Sequence, residues 1–259
     1  MNERKQQAIV WDDDAKHVGD ITLYPVQMRM YTEWQRCKHA LLVRQSTLPV
    51  KYVFMPYLAA LHAADCDYGS SLIGSLIQAL ALAMRIHVGC FSVYVSRDDR
   101  TKLEFILCRS IVNKSEIKID SANFPAIRRA IVEQNGESIP DEGDNPELVE
   151  TEAYINEANS RKNRIEYDIN TLVSSVAYHC NIRKKEIAEW SIREFVETKN
   201  AIDRGINYII CGIAEKIPMF KWTKGNPCPS WCFDPVKEGS AALESMSAFA
   251  SRTGINSAQ

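Results

Sequence analysis

The spacing of apolar residues changes twice along this chain of 259 residues, and that change limits the folds open to it. From residue 30 to 84 large apolar side chains recur every three or four positions, as on one face of a helix. From 88 to 120 they fall in three short β-rich runs with a polar turn at 97–100, which is typical of a hairpin and a third strand. After 168 the helical spacing returns. The pattern predicts an α+β fold, mostly helical, with a small antiparallel sheet in the first half and a helical second half.

Shifts in composition predict five segments. Residues 1–17 are polar, and we expect a flexible N-terminal arm followed by an α+β domain over 18–136. Residues 137–160 hold eight acidic side chains, no Lys or Arg, and interrupting Pro and Gly, which predicts an exposed acidic linker or loop. A helical domain over 161–234 follows. Residues 235–259 are rich in Ser, Ala and Gly, and we expect a flexible C-terminal tail.

The clearest local signal is a helix start at 190–195. Ser191 and Glu194 have the spacing of a capping box, in which each side chain accepts a hydrogen bond from an otherwise unpaired backbone N–H. Trp190 and Phe195 occupy the two positions of a hydrophobic staple. These four residues are predicted to be structural.

Three other residues have the chemistry of helix starts. Pro25 can open a helix, because the N–H that it lacks would be unpaired there. Ser121 and Asp168 can accept a hydrogen bond from a first-turn N–H. We therefore expect helices to begin next to each of these residues.

Charge and targeting signals favour an ordinary cytoplasmic protein. The net charge of −2 gives no global attraction to nucleic acid or to an anionic membrane. The most apolar stretch, residues 72–84, is too short to span a bilayer, and the N-terminus has no apolar core for a signal peptide. The eight cysteines are scattered through apolar segments, as free thiols are in a reducing compartment.

No motif in the sequence predicts catalysis, a metal or a cofactor. Cys228 and Cys232 are four apart, but structural zinc needs a second close pair, and none has suitable spacing. His62, His87 and His179 lie among apolar residues, which favours packed core histidines over ligands. No nucleophile elbow or phosphate-binding loop occurs. We expect a protein that is not an enzyme, although an enzyme without a recognisable motif stays an open alternative.

A second alternative is a nucleic-acid-binding regulator. Residues 172–195 have the pattern of a helix–turn–helix, with a small residue, Ala177, where the helices meet, Asn181 in the turn and Ile187 packed underneath. Such a motif would present three basic side chains to phosphates: Arg183, Lys184 and Lys185. The second helix is short and contains acidic residues, which disfavours this reading.

Eight segments together resemble a known family. They are 21–26 (ITLYPV), 55–58 (MPYL), 117–124 (IKIDSANF), 127–128 (IR), 134–135 (QN), 145–148 (NPEL), 189–195 (EWSIREF) and 229–234 (PSWCFD). This combination is similar to proteins encoded in the tail-morphogenesis clusters of phages and phage-tail-like particles of Gram-positive bacteria, namely tail assembly chaperones. The resemblance covers roughly residues 20–234 and offers no catalytic residues.

The resemblance implies a non-enzymatic assembly factor in the bacterial host cytoplasm. Its partner would be a phage tail protein, foremost the tape-measure protein, or a baseplate component, and self-association is a further expectation. A chaperone for a helical client needs an apolar groove or a segment that folds on binding. In the tail, Leu243, Met246 and Phe249 have helical spacing and are candidate client contacts. The alternative is that the tail is an extension without a binding role.

Overall fold

The computed structural model describes residues 15–97, 102–109, 116–140 and 168–217, together with Thr151, Tyr154, Asn226 and Cys228. The fold is α+β and mostly helical with small antiparallel sheets, which confirms the predicted class. Contacts divide the chain into two units, Met1–Glu197 and Thr198–Gln259. The predicted tail and almost all of the predicted arm lie outside the described residues. The acidic linker does so for the most part, and the boundary drawn there stays a prediction.

Five strands form two antiparallel sheets. Strands β1 (Lys16–Val18) and β2 (Ile21–Leu23) make a hairpin whose turn contains Gly19 at a φ of +58°. Strands β3 (Phe91–Val95), β4 (Leu103–Arg109) and β5 (Glu116–Asp120) form the second sheet, with β4 in the centre. The predicted hairpin and third strand are therefore confirmed.

The described residues contain nine α-helices and three short 3₁₀ turns. The helices are α1 (Tyr31–Cys37), α2 (His39–Leu42), α3 (Val50–Val53), α4 (Tyr57–Tyr68), α5 (Leu72–Met84), α6 (Phe124–Gln134), α7 (Ile169–Cys180), α8 (Lys184–Ile187) and α9 (Ile192–Glu215). The 3₁₀ turns are Met28–Met30, Gln45–Thr47 and Val88–Cys90. Within the described part of the chain, no helix is both long and apolar enough to cross a membrane.

Helix α5 is the centre of the core of the first unit. It packs against α1, α2, α4 and β2, and its Leu76, Ala79, Leu80 and Ala83 are completely buried. Alternating Leu with Ala on one helix lets neighbouring backbones approach while the larger side chains fill the space between them. The sheet joins this core because α4 packs on β4.

The prediction that a helix begins at Pro25 is wrong. Gln27 is extended, with φ −82° and ψ 153°, and it pairs antiparallel with Ser191. Helical geometry begins only at Met28, in the 3₁₀ turn that precedes α1. Proline favours a helix start locally, but this segment stays extended because its backbone forms hydrogen bonds with a distant part of the chain.

The other helix starts are correct in part. Helix α6 begins at Phe124, and Asn123, not Ser121, is its N-terminal flanking residue. The Asp120 carboxylate accepts hydrogen bonds from the N–H groups of Ala122 (3.0 Å) and Asn123 (3.2 Å) and so holds 121–123 as a turn. Asp168 does precede α7, but its side chain caps no backbone N–H of that helix and instead accepts a hydrogen bond from Asn170 Nδ2 at 3.3 Å.

The helix start at 190–195 is confirmed for Ser191, whose Oγ accepts a hydrogen bond from the N–H of Glu194 at 3.0 Å. Phe195 is buried, with 2% of its surface exposed, but Trp190 is only half-buried. The predicted staple is therefore weaker than a pair of fully buried side chains would be. The Ser191 hydroxyl oxygen thus pairs with one of the backbone N–H groups that would otherwise have no partner at the start of α9.

The second unit is described for residues 198–217, Asn226 and Cys228. Several apolar side chains of its helix are exposed: Ile206, Ile209, Ile210 and Ile213. Cys211 is buried, and burial together with a hydrogen bond to Cys228 raises its pKa.

Candidate functional site

The structure places the predicted site residues in different settings. Leu243, Met246 and Phe249 lie outside the described residues, so their role in client binding stays a prediction. Arg183 is exposed just before α8, and Lys184 and Lys185 are exposed at the start of that helix. The predicted structural residues 190–195 contact the segment at 25–30, which forms part of the candidate site below.

The segment at 172–195 has some features of a helix–turn–helix. Ala177 and Ile187 are buried where α7 meets α8, and Asn181 ends α7 in the left-handed conformation with a φ of +55°. An open cavity of about 600 Å³ lies against Arg183 and Lys184. However, α8 has four residues, which is a single turn. A recognition helix reads several successive bases from its exposed face, and one turn offers little surface for that.

A more apolar site lies elsewhere in the first unit. We call it the α1–α5 groove, and its volume is about 550 Å³. Three parts of the chain form its walls: residues 25–30, the first turn of α1, and the last two turns of α5 with residues 85–88. Its apolar lining includes Pro25, Val26, Leu82 and Val88. This volume lies in the range of sites that bind drug-sized molecules or a few side chains of a partner protein.

Several distant parts of the chain hold the backbone of the wall at 25–30, and of Tyr24 beside it, by hydrogen bonds. Its hydrogen bonds are Tyr24 N to Ala83 O (2.7 Å), Val26 N to Asn135 Oδ1 (2.9 Å), Met28 N to Trp190 O (2.8 Å), Arg29 N to Ala188 O (3.1 Å) and Ile192 N to Val26 O (2.9 Å). A wall fixed in this way need not be ordered when a partner binds, and preorganisation of this kind favours affinity.

Glu33 is the one acidic residue among those that line the groove. It lies in the first turn of α1 and is partly buried. Its Oε2 atom is buried and has no hydrogen-bond partner within the described part of the chain. An unpaired buried acceptor costs about 1–3 kcal/mol, and more when it carries charge, so its presence in a groove requires an explanation.

Two arginines also line the groove, and neither pairs with Glu33. Arg29 donates to Gln27 Oε1 at 2.5 Å and lies 3.5 Å from a carboxylate oxygen of Glu189. Arg85 places its guanidinium 4.5 Å from the centre of the Tyr24 ring. No ion pair joins Glu33 to any basic side chain among the described residues.

Two histidines are more exposed than the sequence predicted. His87 and His179 are exposed, so the expectation that they pack in the core is wrong. At the rim of the groove, His87 Nδ1 accepts a hydrogen bond from the N–H of Gly89 at 3.1 Å and caps the 3₁₀ turn Val88–Cys90. Its apolar neighbours in sequence belong to the groove, where they are partly open to solvent.

A cluster of three polar side chains resembles a catalytic site in its composition. Its members are Lys51, Tyr52 and Asp67. Asp67 Oδ2 accepts hydrogen bonds from Lys51 Nζ and from the Tyr52 hydroxyl. The bond to Lys51 lowers the pKa of Asp67, and the same bond raises the pKa of Lys51. Burial raises the pKa of Tyr52. Each shift holds its group in one protonation state near neutral pH, whereas an acid or base catalyst needs a pKa close to that pH. The cluster links α3 to α4.

The cysteines are free thiols at every described position, as predicted. Burial raises the pKa of Cys37 to about 12 and also raises the pKa of Cys108, so both remain protonated and unreactive. Cys66 is exposed on α4, with its Sγ 3.9 Å from His62 Nδ1. Across the described part of the chain, no three His, Cys, Asp or Glu side chains are placed to hold a metal ion.

Comparison of the chain with protein-family models, with curated proteins and with solved structures finds no match. Functional assignment therefore depends on the groove and on the family resemblance of the eight segments. Sequence reasoning did not find the groove. Its walls come from parts of the chain that are about fifty residues apart, and only the fold brings them together.

Proposed function

We propose that the protein is a non-enzymatic assembly factor for a phage-type tail, which acts in the bacterial host cytoplasm. Its client would be the tape-measure protein or a baseplate component, held in the α1–α5 groove. The family resemblance supports the class of protein. The groove supports the mode of action, because it is apolar, open on one side and backed by a wall that is hydrogen-bonded to Asn135 and to residues 188–192.

A groove of this kind suits a segment of a partner protein. Apolar side chains on one face of a helix can enter it while the opposite face stays in water. The residues that would meet them are exposed enough to be reached: Val88 is 46% exposed, and Leu82 and Ile86 are partly exposed. Burying such side chains against a partner contributes about 25 cal/mol per Å² of apolar surface.

The test is capture of the tape-measure protein encoded in the same gene cluster by tagged full-length protein. Val88→Glu places a carboxylate in the groove, and we expect capture to fall about tenfold or more, because burying an unpaired charge costs well over 1.4 kcal/mol. Val50→Glu is the matched control. It changes the same residue type at the first position of another short helical turn, 76% exposed and outside the groove.

Both variants should melt like the parent, since both sites are exposed. Equal capture by Val88→Glu and Val50→Glu would remove the groove from the proposal. A third variant, with Ser at Leu243, Met246 and Phe249, tests the tail in the same assay. If only that variant fails to capture the client, the client site lies in the tail.

A second candidate is nucleic-acid binding at the turn between α7 and α8. The buried contact of Ala177 with the α8 region and the exposed Arg183, Lys184 and Lys185 favour it. Replacing the three basic residues with Gln should abolish duplex binding and its salt dependence if this candidate is correct. A chain that shows no salt-dependent binding to duplex DNA or RNA excludes it.

A further inference from the structure

The helix of the second unit exposes one apolar face, which we call the isoleucine stripe. Its members are between 39% and 61% exposed: Ile206, Ile209, Ile210 and Ile213. They recur at three- and four-residue intervals and therefore lie on one side of α9. Cys211, on the opposite side, is buried. A surface helix ordinarily buries its apolar face, so an exposed stripe of this kind indicates an interaction site.

The spacing of the isoleucines indicates the kind of surface that covers them. Four follow one another at intervals of four, three and four, as the seam positions of a coiled coil do. They are Ile202, Ile206, Ile209 and Ile213. The seam positions before and after this run hold Lys199 and Lys216, which mark its ends. A seam packs against another helix with the same spacing, because each side chain enters a hole between side chains of the partner.

The absence of charge along the stripe favours a second copy of this chain as the partner. Residues 205–214 contain no charged side chain in the sequence. Interfaces between identical chains are more apolar than those between different proteins, at about 65% of their area. A second copy also brings a helix of matching spacing, because a twofold axis places the same surface on both sides of the contact.

The size of the stripe fits the same partner. Four isoleucines that are about half exposed offer on the order of 400 Å² of apolar surface, which is within the range of patches that mark interaction sites. Each partner contributes about 800 Å² to a standard interface. The stripe therefore supplies most of the apolar part of an interface between two copies.

We infer that the chain self-associates through the isoleucine stripe, with the isoleucines of one copy packed between those of a second copy. This contact lies in the second unit and does not involve the α1–α5 groove. The inference therefore goes beyond the proposed function and does not depend on a client.

The test is the mass of the full-length protein in solution, measured by analytical ultracentrifugation over a hundredfold range of concentration. We expect the mass to rise with concentration from that of one chain to at least that of two. Added salt should not weaken the association, because the packed side chains carry no charge for salt to screen.

Ile209→Glu places a carboxylate in the middle of the seam. We expect the dissociation constant to rise at least tenfold, because burying an unpaired charge is costly. Glu favours a helix more than Ile does, so the variant should keep its helix content, which circular dichroism checks. Tyr208→Glu is the matched control. Tyr208 is the adjacent residue, is 40% exposed and lies on the other side of the helix, so this variant should associate like the parent.

The result that supports the inference is loss of association in Ile209→Glu but not in Tyr208→Glu. Ile213→Glu, one turn further along the seam, should then behave like Ile209→Glu. A mass of one chain at every concentration would overturn the inference. Equal association of Ile209→Glu and Tyr208→Glu would also overturn it, because the contact between copies would then lie elsewhere.

Discussion

At the scale of single residues, Arg128 is the one buried charged side chain among the residues that the structure describes. Only 8% of it is exposed, yet it carries a permanent charge. Its Nε donates to the carbonyl of Leu41 at 2.7 Å and a terminal nitrogen donates to that of Val43 at 3.2 Å, so it satisfies carbonyls at the end of α2. The guanidinium also lies 3.8 Å from the centre of the Tyr57 ring. These contacts offset the desolvation of the charge.

Replacing Arg128 with Met should lower the free energy of unfolding by about 3 kcal/mol, because the buried carbonyl of Leu41 and the partly buried carbonyl of Val43 lose their charged donors. Arg129→Met is the matched control. Arg129 is the next residue of α6 and is exposed, so its replacement should change stability by less than about 0.5 kcal/mol. Urea unfolding of both variants measures the difference. Equal stability of the two would show that the hydrogen bonds of Arg128 contribute nothing net.

Glu33 shows why the site could not be predicted from the sequence. Its neighbours Trp34 and Cys37 are apolar and buried, and they predicted a helix correctly. Nothing in that local pattern indicates that a carboxylate oxygen is buried there. The oxygen is buried by residues that are distant in the sequence, and the local spacing of apolar residues does not reveal such contacts.

At the scale of elements, the sequence predicted those whose stability comes from a regular apolar face. Helices α4 and α5 and the sheet of β3, β4 and β5 lie where the spacing indicated. The errors fall where tertiary contacts override local preference. Pro25 lies in an extended segment because Ser191 pairs with Gln27, two residues further on. Residues 121–123 form a turn because Asp120 accepts hydrogen bonds from the N–H groups of Ala122 and Asn123.

The cap of α9 gives a prediction at the same scale. Ser191→Ala removes the acceptor for the N–H of Glu194 and should lower the free energy of unfolding by about 1 kcal/mol. Ser175→Ala is the control. Its Oγ bonds only to the carbonyl of Thr171 inside α7, and it is exposed, so no stability should be lost there. A melting curve for Ser191→Ala identical to that of the parent would contradict the role of the cap.

At the scale of the whole molecule, the first unit is closed by residues from its two ends. Residues 26–29 pair with residues 188–192, and Ile187, Ile192 and Phe195 are buried there. The structure therefore joins the beginning of the predicted helical domain to the same unit as the α+β part. Dividing the sequence by composition cannot reveal this pairing, because neither short segment has a distinctive pattern of its own.

Two fragments test this closure. A fragment of residues 1–197 should unfold cooperatively, because it keeps every contact within the first unit. A fragment of residues 1–183 loses three buried apolar side chains, each worth about 1.5–3 kcal/mol, and leaves backbone donors of Met28 and Arg29 without acceptors. That loss approaches the whole stability of a typical domain, about 5–15 kcal/mol, so this fragment should show no cooperative melting. Similar melting of both would mean that closure is dispensable.

The pairing between residues 26–29 and 188–192 also has a consequence for synthesis. Gln27 and Glu189, which share a hydrogen bond across this contact, are 162 positions apart. At about 5–20 residues per second, the ribosome needs roughly 8–30 s to make the chain between them. During that interval the segment at 25–30 has no partner for much of its backbone. A nascent chain thus has no finished groove, and binding there must wait until translation has passed residue 192.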